Sequence, residues 1–231
     1  MAAAAEASRV SALHLGQEAG HADITAWALE IAAWMAHTRR DPAAAVRYAR
    51  AGQAAAPKSG VTVQLIAHEA RSLARMGQVT EVTAALDRGH RLLQGVPETA
   101  NQVNHFVVDP AKLDFYAMDC LRVAGQDTAA AGYARAVLRG GPGPDGADLA
   151  PMRMSEARIA LGCIAARAGD LDEAAAWGAE AFRAARKCLP SLALVAGELD
   201  AEMSARYPDA APAAEFREQL AELRMALPAL E

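Results

Sequence analysis

Apolar residues recur along this chain at intervals of three and four positions, the spacing that places them on one face of an α-helix. No run of alternating Val, Ile, Thr or aromatic residues is long enough to predict a β-strand. Glycine and proline interrupt the helical pattern at regular intervals, for example at Gly77, Gly125 and Gly169. The pattern therefore predicts an all-α protein of about eleven helices.

Several predicted helix starts carry their own capping signals. Asp41-Pro42 supplies an N-cap side chain followed by a proline suited to the first helical position, and Asp109-Pro110 repeats this arrangement. Asp170 precedes a first turn that carries further acidic residues, where the exposed backbone amides favour negative charge. These signals predict helix boundaries and do not indicate a ligand.

The predicted helices pair into hairpins, most clearly in ALGCIAARAGDLDEAAAWGAEAF at residues 160–182. This stretch has a Leu-Gly pair ending at Gly162, a helix end at Gly169 and Ala174 in the second helix. The tetratricopeptide unit of about 34 residues has the same order of features. Gly162 and Ala174 would let the two helix backbones approach closely. Weaker copies of the hairpin have their turns at Arg40-Asp41, Gly77 and Gly125.

The chain resembles a tetratricopeptide-type solenoid, and it is similar to the C-terminal repeat domains of actinobacterial helix-turn-helix transcriptional regulators. The segments that carry this resemblance are RRDPAAAVRYARAGQAAAP, HEARSLARMGQ, VVDPAKLDFYAMDCLRVAGQ, SEARIALGCIAARAGDLDEAAAWGAEA and ELDAEMSARYPD. The resemblance implies a right-handed superhelical array of antiparallel helical hairpins with a regulatory role. The units are degenerate, because Arg158, Ala165 and Gly178 replace large aromatic residues in the best copy. We expect the DNA-binding domain of such regulators to be lacking, since the chain opens directly in repeat-like helices.

We expect one domain over residues 1–231, with irregular loops near 95–108 and 140–150. Capping helices are predicted at about 191–227, because repeat arrays expose apolar faces at their ends. One of these helices has Phe216, Leu220, Leu223 and Leu227 near one face, which suits a cap, the interpretation we favour, or a dimer contact. Residues 1–16 resemble the second helix of a hairpin, so a homodimer through a terminal helix is a further hypothesis.

The composition of the chain mainly excludes certain classes of function. Hydrophobic residues make up 53% and aromatic residues 5% of the chain, which favours closely packed, alanine-rich helices. A net charge of −5 argues against direct binding of nucleic acid, which needs clustered Lys and Arg. The sequence has no signal-peptide pattern and no long uncharged apolar run. Together with three cysteines that lack metal-site or disulfide spacing, this favours a cytoplasmic protein that does not insert into a membrane.

Motifs for chemistry are missing as well. The six histidines include no HExxH and no pair one turn apart, so we expect ordinary surface or cap histidines, no metal and no cofactor. The segment GGPGPDG lacks the Gly-Lys-Ser/Thr ending of a phosphate-binding loop and is interpreted as a linker. No GxSxG elbow is present, and Cys163 lies in an apolar helix. Whether the protein is an enzyme stays uncertain, and the interpretation leans against it.

The remaining candidate for a binding site is a groove. In an array of hairpins the first helices face the concave side, and their polar residues are available to a ligand. The helical period selects Gln64, Arg71, Lys112, Phe115, Asp119, Arg122 and Glu156. On one predicted helix, the stripe of residues from Lys112 to Arg122 could bind a peptide carboxylate and contact an apolar side chain of the peptide. The alternative is that these charges form a solvated face and that Phe115 fills a seam between hairpins.

Three functions are compatible with these patterns. The first is a non-enzymatic module that binds a protein or peptide, with a regulatory role. The second is a sensor that binds a small molecule or signalling peptide in the groove and changes the pitch of the superhelix. The third is an enzyme on a helical scaffold in a specialised pathway.

Overall fold

The computed structural model describes residues 2–95, 111–141, 149–183 and 188–226. These residues form eleven α-helices and no β-strand, which confirms the predicted all-α fold. The helices are α1 (Ala2–Glu18), α2 (Ala22–Thr38), α3 (Pro42–Ala55), α4 (Val61–Arg75), α5 (Val79–Leu93), α6 (Ala111–Val123), α7 (Asp127–Gly140), α8 (Pro151–Ala168), α9 (Leu171–Phe182), α10 (Leu189–Arg206) and α11 (Ala211–Met225). None of these described helices is both long and apolar enough to cross a bilayer.

The predicted caps form at α3 and α9. The Asp41 side chain accepts a hydrogen bond from the Ala44 amide at 2.9 Å, and Asp170 accepts one from Glu173 at the same distance. Each bond satisfies an amide that has no partner within its own helix. The predicted Asp109-Pro110 cap and most of the predicted loops near 95–108 and 140–150 lie outside the described residues.

The turns between paired helices depend on residues with positive φ. Gly169 ends α8 at φ 95°, and the amide of Asp170 then donates to the carbonyl of Ala165. This conformation is costly for residues with a Cβ, so a glycine fits it best. The turn between α2 and α3 instead places Arg40 at φ 61°, which shows that the turn tolerates a side chain there.

Contacts divide the chain into two compact units that meet in sequence between Ala124 and Gly125. The first unit contains α1 to α6, and the second contains α7 to α11. The third predicted hairpin, with its turn at Gly125, spans this division. The single domain predicted over 1–231 and the handedness of a superhelix both stay predictions.

Helix α4 is the centre of the first unit. It packs against α2, α3, α5 and α6, and residues 61–74 are all buried. His68 of α4 contacts Glu30 of α2, and farther along both helices Ser72 contacts His37. Contacts between α4 and α6 follow the same order: Gln64 contacts Lys112, and farther along both helices Arg71 contacts Asp119. Alternate helices α2, α4 and α6 therefore run in the same direction, with α3 and α5 between them in sequence.

The second unit has its own apolar core, formed by α8, α9, α10 and α11. A Cβ atom added at Gly162 would lie 3.2 Å from the carbonyl oxygen of Ala174. The close approach of α8 and α9 predicted from these two residues is thus confirmed. Phe216 and Leu220 of α11 are buried in this core, whereas Leu227 lies outside the described residues.

Candidate functional site

Six of the seven candidate residues lie where α4 meets α6 in the first unit. We call this contact the α4–α6 seam and define it by these six residues together with Arg75. Its members are Gln64, Arg71 and Arg75 on α4, and Lys112, Phe115, Asp119 and Arg122 on α6. The seventh candidate, Glu156, lies on α8 in the second unit, where it accepts a hydrogen bond from Ser191 at 2.7 Å.

Asp119 holds three arginines in the middle of the seam. Its Oδ2 atom accepts hydrogen bonds from Arg71 Nε at 2.7 Å and Arg75 Nη1 at 2.8 Å. Its Oδ1 atom accepts from Arg122 Nη2 at 2.7 Å and from Arg75 Nη2 at 3.1 Å. The bonds to Arg75 use both of its terminal nitrogens, which is the bidentate arrangement that guanidinium and carboxylate groups favour. The orientation of all three cations is therefore fixed by one carboxylate.

Electrostatics keeps this carboxylate ionised. Burial alone would raise the pKa of Asp119, but attraction to Arg75, Arg71 and Arg122 outweighs burial and lowers that pKa well below its usual value. The side chains of Arg71 and Asp119 are each 2% exposed. A buried carboxylate in this setting is stable only while its cationic partners remain in place.

Aromatic rings lie against the central arginine. The guanidinium carbon of Arg71 is 5.8 Å from the centroid of the Phe115 ring and 5.3 Å from that of Tyr116. Both distances are within the range at which a ring face attracts a cation. The ring of His68 lies 5.4 Å from Tyr116. The seam thus combines cationic groups with apolar surface.

The two ends of the seam are less buried than its middle. Lys112 donates a hydrogen bond to Oε1 of Gln64 at 3.3 Å and is partly exposed. The side chain of Arg75, at the other end, is 13% exposed. Gln64 and Arg75 are eleven positions apart on α4, which corresponds to about 16 Å along a helix. A partner approaching the seam meets Lys112 and Arg75 first.

Residues of α2 extend the polar contacts on the other side of α4. Glu30 contacts His68 at 3.0 Å, and His37 Nδ1 lies 3.4 Å from the hydroxyl of Ser72. Burial is the main cause that lowers the pKa of His37 well below its ordinary value, and the positive charges of Arg71 and Arg75 add to the effect. His37 is therefore neutral near pH 7. Within the described ranges, His37 Nε2 and His68 Nδ1 are buried and have no hydrogen-bond partner.

These contacts change two of the interpretations made from sequence. Gln64, Arg71, Phe115, Asp119 and Arg122 are each at most 5% exposed, so they do not form a solvated helix face. The expectation of surface or cap histidines is correct for His21, which caps α2, but wrong for His37 and His68, which are buried.

Sequence reasoning also missed several residues around the seam: Glu30, His37, His68 and Arg75. The available signal was the polar content of VQLIAHEARSLAR, a segment with polar groups on all sides of a helix. A helix of this kind that is also buried needs polar partners on its neighbours.

Two properties of the seam and its surroundings bear on their chemistry. Burial raises the pKa of the adjacent Cys120 thiol to about 12, so this thiol stays protonated and is a poor nucleophile. Across the part of the chain that the structure describes, no group of three or more His, Cys, Asp or Glu is placed to hold a metal ion. Guanidinium and ammonium groups beside aromatic rings are suited to carboxylates and to apolar side chains.

No family model matches the chain, and no curated protein matches its sequence.

Proposed function

We propose that this protein is a non-enzymatic, tetratricopeptide-type module that binds a partner protein through an acidic peptide segment, in a regulatory role. The observation that supports this proposal is the pair of partly exposed cations, Lys112 and Arg75, at the two ends of the seam. Because Arg75 is already oriented by Asp119, ordering its side chain costs little when a further carboxylate approaches. Arginine is the side chain best suited to such recognition, since it donates to both oxygens of a carboxylate.

The length of the seam fits a short extended peptide. Its span of about 16 Å along α4 corresponds to about five residues in extended conformation. Acidic side chains of the peptide would contact Lys112 at one end and Arg75 at the other. An apolar side chain between them would lie over the middle of the seam, above the largely buried rings of Phe115 and Tyr116. The proposal therefore specifies acidic residues on both sides of an apolar one.

A displayed library of ten-residue peptides, selected on the full chain, tests this function. We expect the recovered peptides to be enriched in Asp and Glu flanking an aromatic or aliphatic residue. Lys112→Glu should raise the Kd of a recovered peptide by about tenfold, measured by fluorescence anisotropy, because it replaces attraction by repulsion at the rim.

Lys58→Glu is the matched control, since Lys58 is exposed in the same unit and is not part of the seam. Its Kd should stay within about twofold of that of the unchanged protein. Peptides without acidic enrichment, or equal effects of the two substitutions, would exclude the seam as the binding site.

A further inference from the structure

A cavity of about 340 Å³ lies between α1, α2 and α3 in the first unit. It shares no lining residue with the α4–α6 seam. Part of its wall is apolar and made of small or flexible side chains: Ala32, Met35, Ala36 and Ala44. The volume falls at the lower end of the range of about 300–1,000 Å³ that is typical of small-molecule sites.

Arg9 lines this cavity and is itself a buried cation. Its side chain is 8% exposed, and it donates to Glu6 through Nε at 2.9 Å and through Nη2 at 2.6 Å. The remaining nitrogen, Nη1, is buried and meets no acceptor in the described parts of the chain. A buried guanidinium N–H without an acceptor is unfavourable. An oxygen atom of a ligand would satisfy it.

Other polar groups of the cavity also favour a ligand that accepts hydrogen bonds. Arg39 and the hydroxyl-bearing Tyr48 both line the cavity and are exposed. Both oxygens of Glu6 already accept from Arg9, and Asp41 already caps α3. The cavity therefore offers hydrogen-bond donors to a ligand. The carboxylates of Glu6 and Asp41 disfavour an anion with more than one charge.

We infer that the cavity binds a small monocarboxylate with a short apolar or aromatic body. The carboxylate lies against Arg9 and Arg39, and the apolar body lies against Ala32, Met35 and Ala36. This site is independent of the peptide-binding function proposed for the seam. The protein thus has a second binding site, for a small molecule, besides the seam.

Helix α1 would respond directly to such a ligand. Among the described helices, α1 packs against α2 alone. A ligand held by Arg9 of α1 and by Tyr48 of α3 connects two helices whose backbones are not packed against each other. Binding should therefore slow hydrogen exchange in α1, because a ligand that binds only the native arrangement stabilises it.

Benzoate is a suitable probe, and benzamide is its uncharged counterpart. Isothermal titration of the full chain should show binding of benzoate and at least tenfold weaker binding of benzamide, since only benzoate carries the carboxylate. Arg39→Gln should weaken benzoate binding by about tenfold, and Tyr48→Phe should weaken it by a smaller factor. Both side chains are exposed, so neither substitution threatens folding.

Arg47→Gln is the matched control, because Arg47 lies beside Tyr48 on α3 but is exposed and does not line the cavity. It should leave benzoate binding within about twofold, and α1 should gain protection in exchange experiments with benzoate. The proposal is overturned if benzoate does not bind, if Arg39→Gln and Arg47→Gln have equal effects, or if inorganic phosphate binds more tightly than benzoate. Loss of peptide binding at the seam would leave all of these results unchanged.

Discussion

Asp119 joins two helices through hydrogen bonds of 2.7 to 3.1 Å to Arg71, Arg75 and Arg122. Each of these cations is partly or fully removed from water, so each depends on a nearby negative charge. The same helix carries Asp114, whose side chain is 55% exposed. Two aspartates five positions apart on α6 thus differ in burial, and only the buried one organises the seam.

Asp119→Asn should lower the free energy of unfolding by about 3–5 kcal/mol, because it leaves buried guanidinium groups without their carboxylate. Asp114→Asn is the control and should change it by less than about 0.5 kcal/mol, since exposed substitutions rarely do more. Urea denaturation followed by circular dichroism measures both values. Similar midpoints for the two variants would show that the Asp119 contacts contribute little to stability.

At the scale of elements, close helix packing in the second unit depends on glycines. A Cβ added at Gly178 of α9 would lie 2.5 Å from Cε2 of Phe216 on α11. Phe216 is also stacked on Phe182, at 5.1 Å between ring centroids, so its ring has little room to move. The absence of a side chain at Gly178 is therefore what allows α11 to cover the core.

Gly178→Ala should destabilise the protein by about 1–3 kcal/mol, since it overpacks a filled core. Gly132→Ala on α7 provides the opposite case, because nothing lies within 4 Å of a Cβ added there. Alanine has the higher helix propensity, so this variant should be more stable by about 0.5–1 kcal/mol. Thermal denaturation of both variants measures these changes, and shifts of the same sign would contradict the packing argument.

At the scale of the whole molecule, the first unit contains Glu6, His37 and Asp119, whose pKa values are all lowered. A group with a lowered pKa stabilises the native state above its pKa in the unfolded chain, and this stabilisation is lost as the pH falls through the native pKa. For His37 the loss begins below about pH 6.5, and for Asp119 it begins below about pH 3.9. Mild acid should therefore weaken the first unit through His37.

Between pH 7 and pH 5, the unfolding free energy of the first unit should fall as the pH drops below about 6.5, because the unfolded chain then binds a proton at His37 that the native state does not. Hydrogen exchange, expressed as protection factors, should show the loss in α2 to α5. His37→Gln should remove this dependence, and His14→Gln, at an exposed position, should retain it. Protection that does not change with pH, or the same slope in both variants, would refute this assignment.

Local sequence was sufficient to predict the helices of this protein. The three- and four-residue spacing, the caps at Asp41 and Asp170, and the glycine at 169 all act within a few residues of where they stand in the chain. For the same reason the hairpin of α8 and α9 could be predicted, since its helices are joined by a short turn. The helical period likewise places Lys112, Phe115, Asp119 and Arg122 near one another along a single helix.

Tertiary structure decided which partners these residues have and whether they meet solvent. Arg71 and Asp119 are 48 positions apart, as are Gln64 and Lys112, and no local pattern specifies such pairs. The helical period shows which residues share a face but not what that face packs against. The burial of His37 and His68 therefore appears only when α4 is surrounded by its neighbours, and the cavity lined by Arg9 appears only when α1, α2 and α3 are packed together. The sequence by itself determined the helices and their turns, and only the packing of helices determined the buried charges.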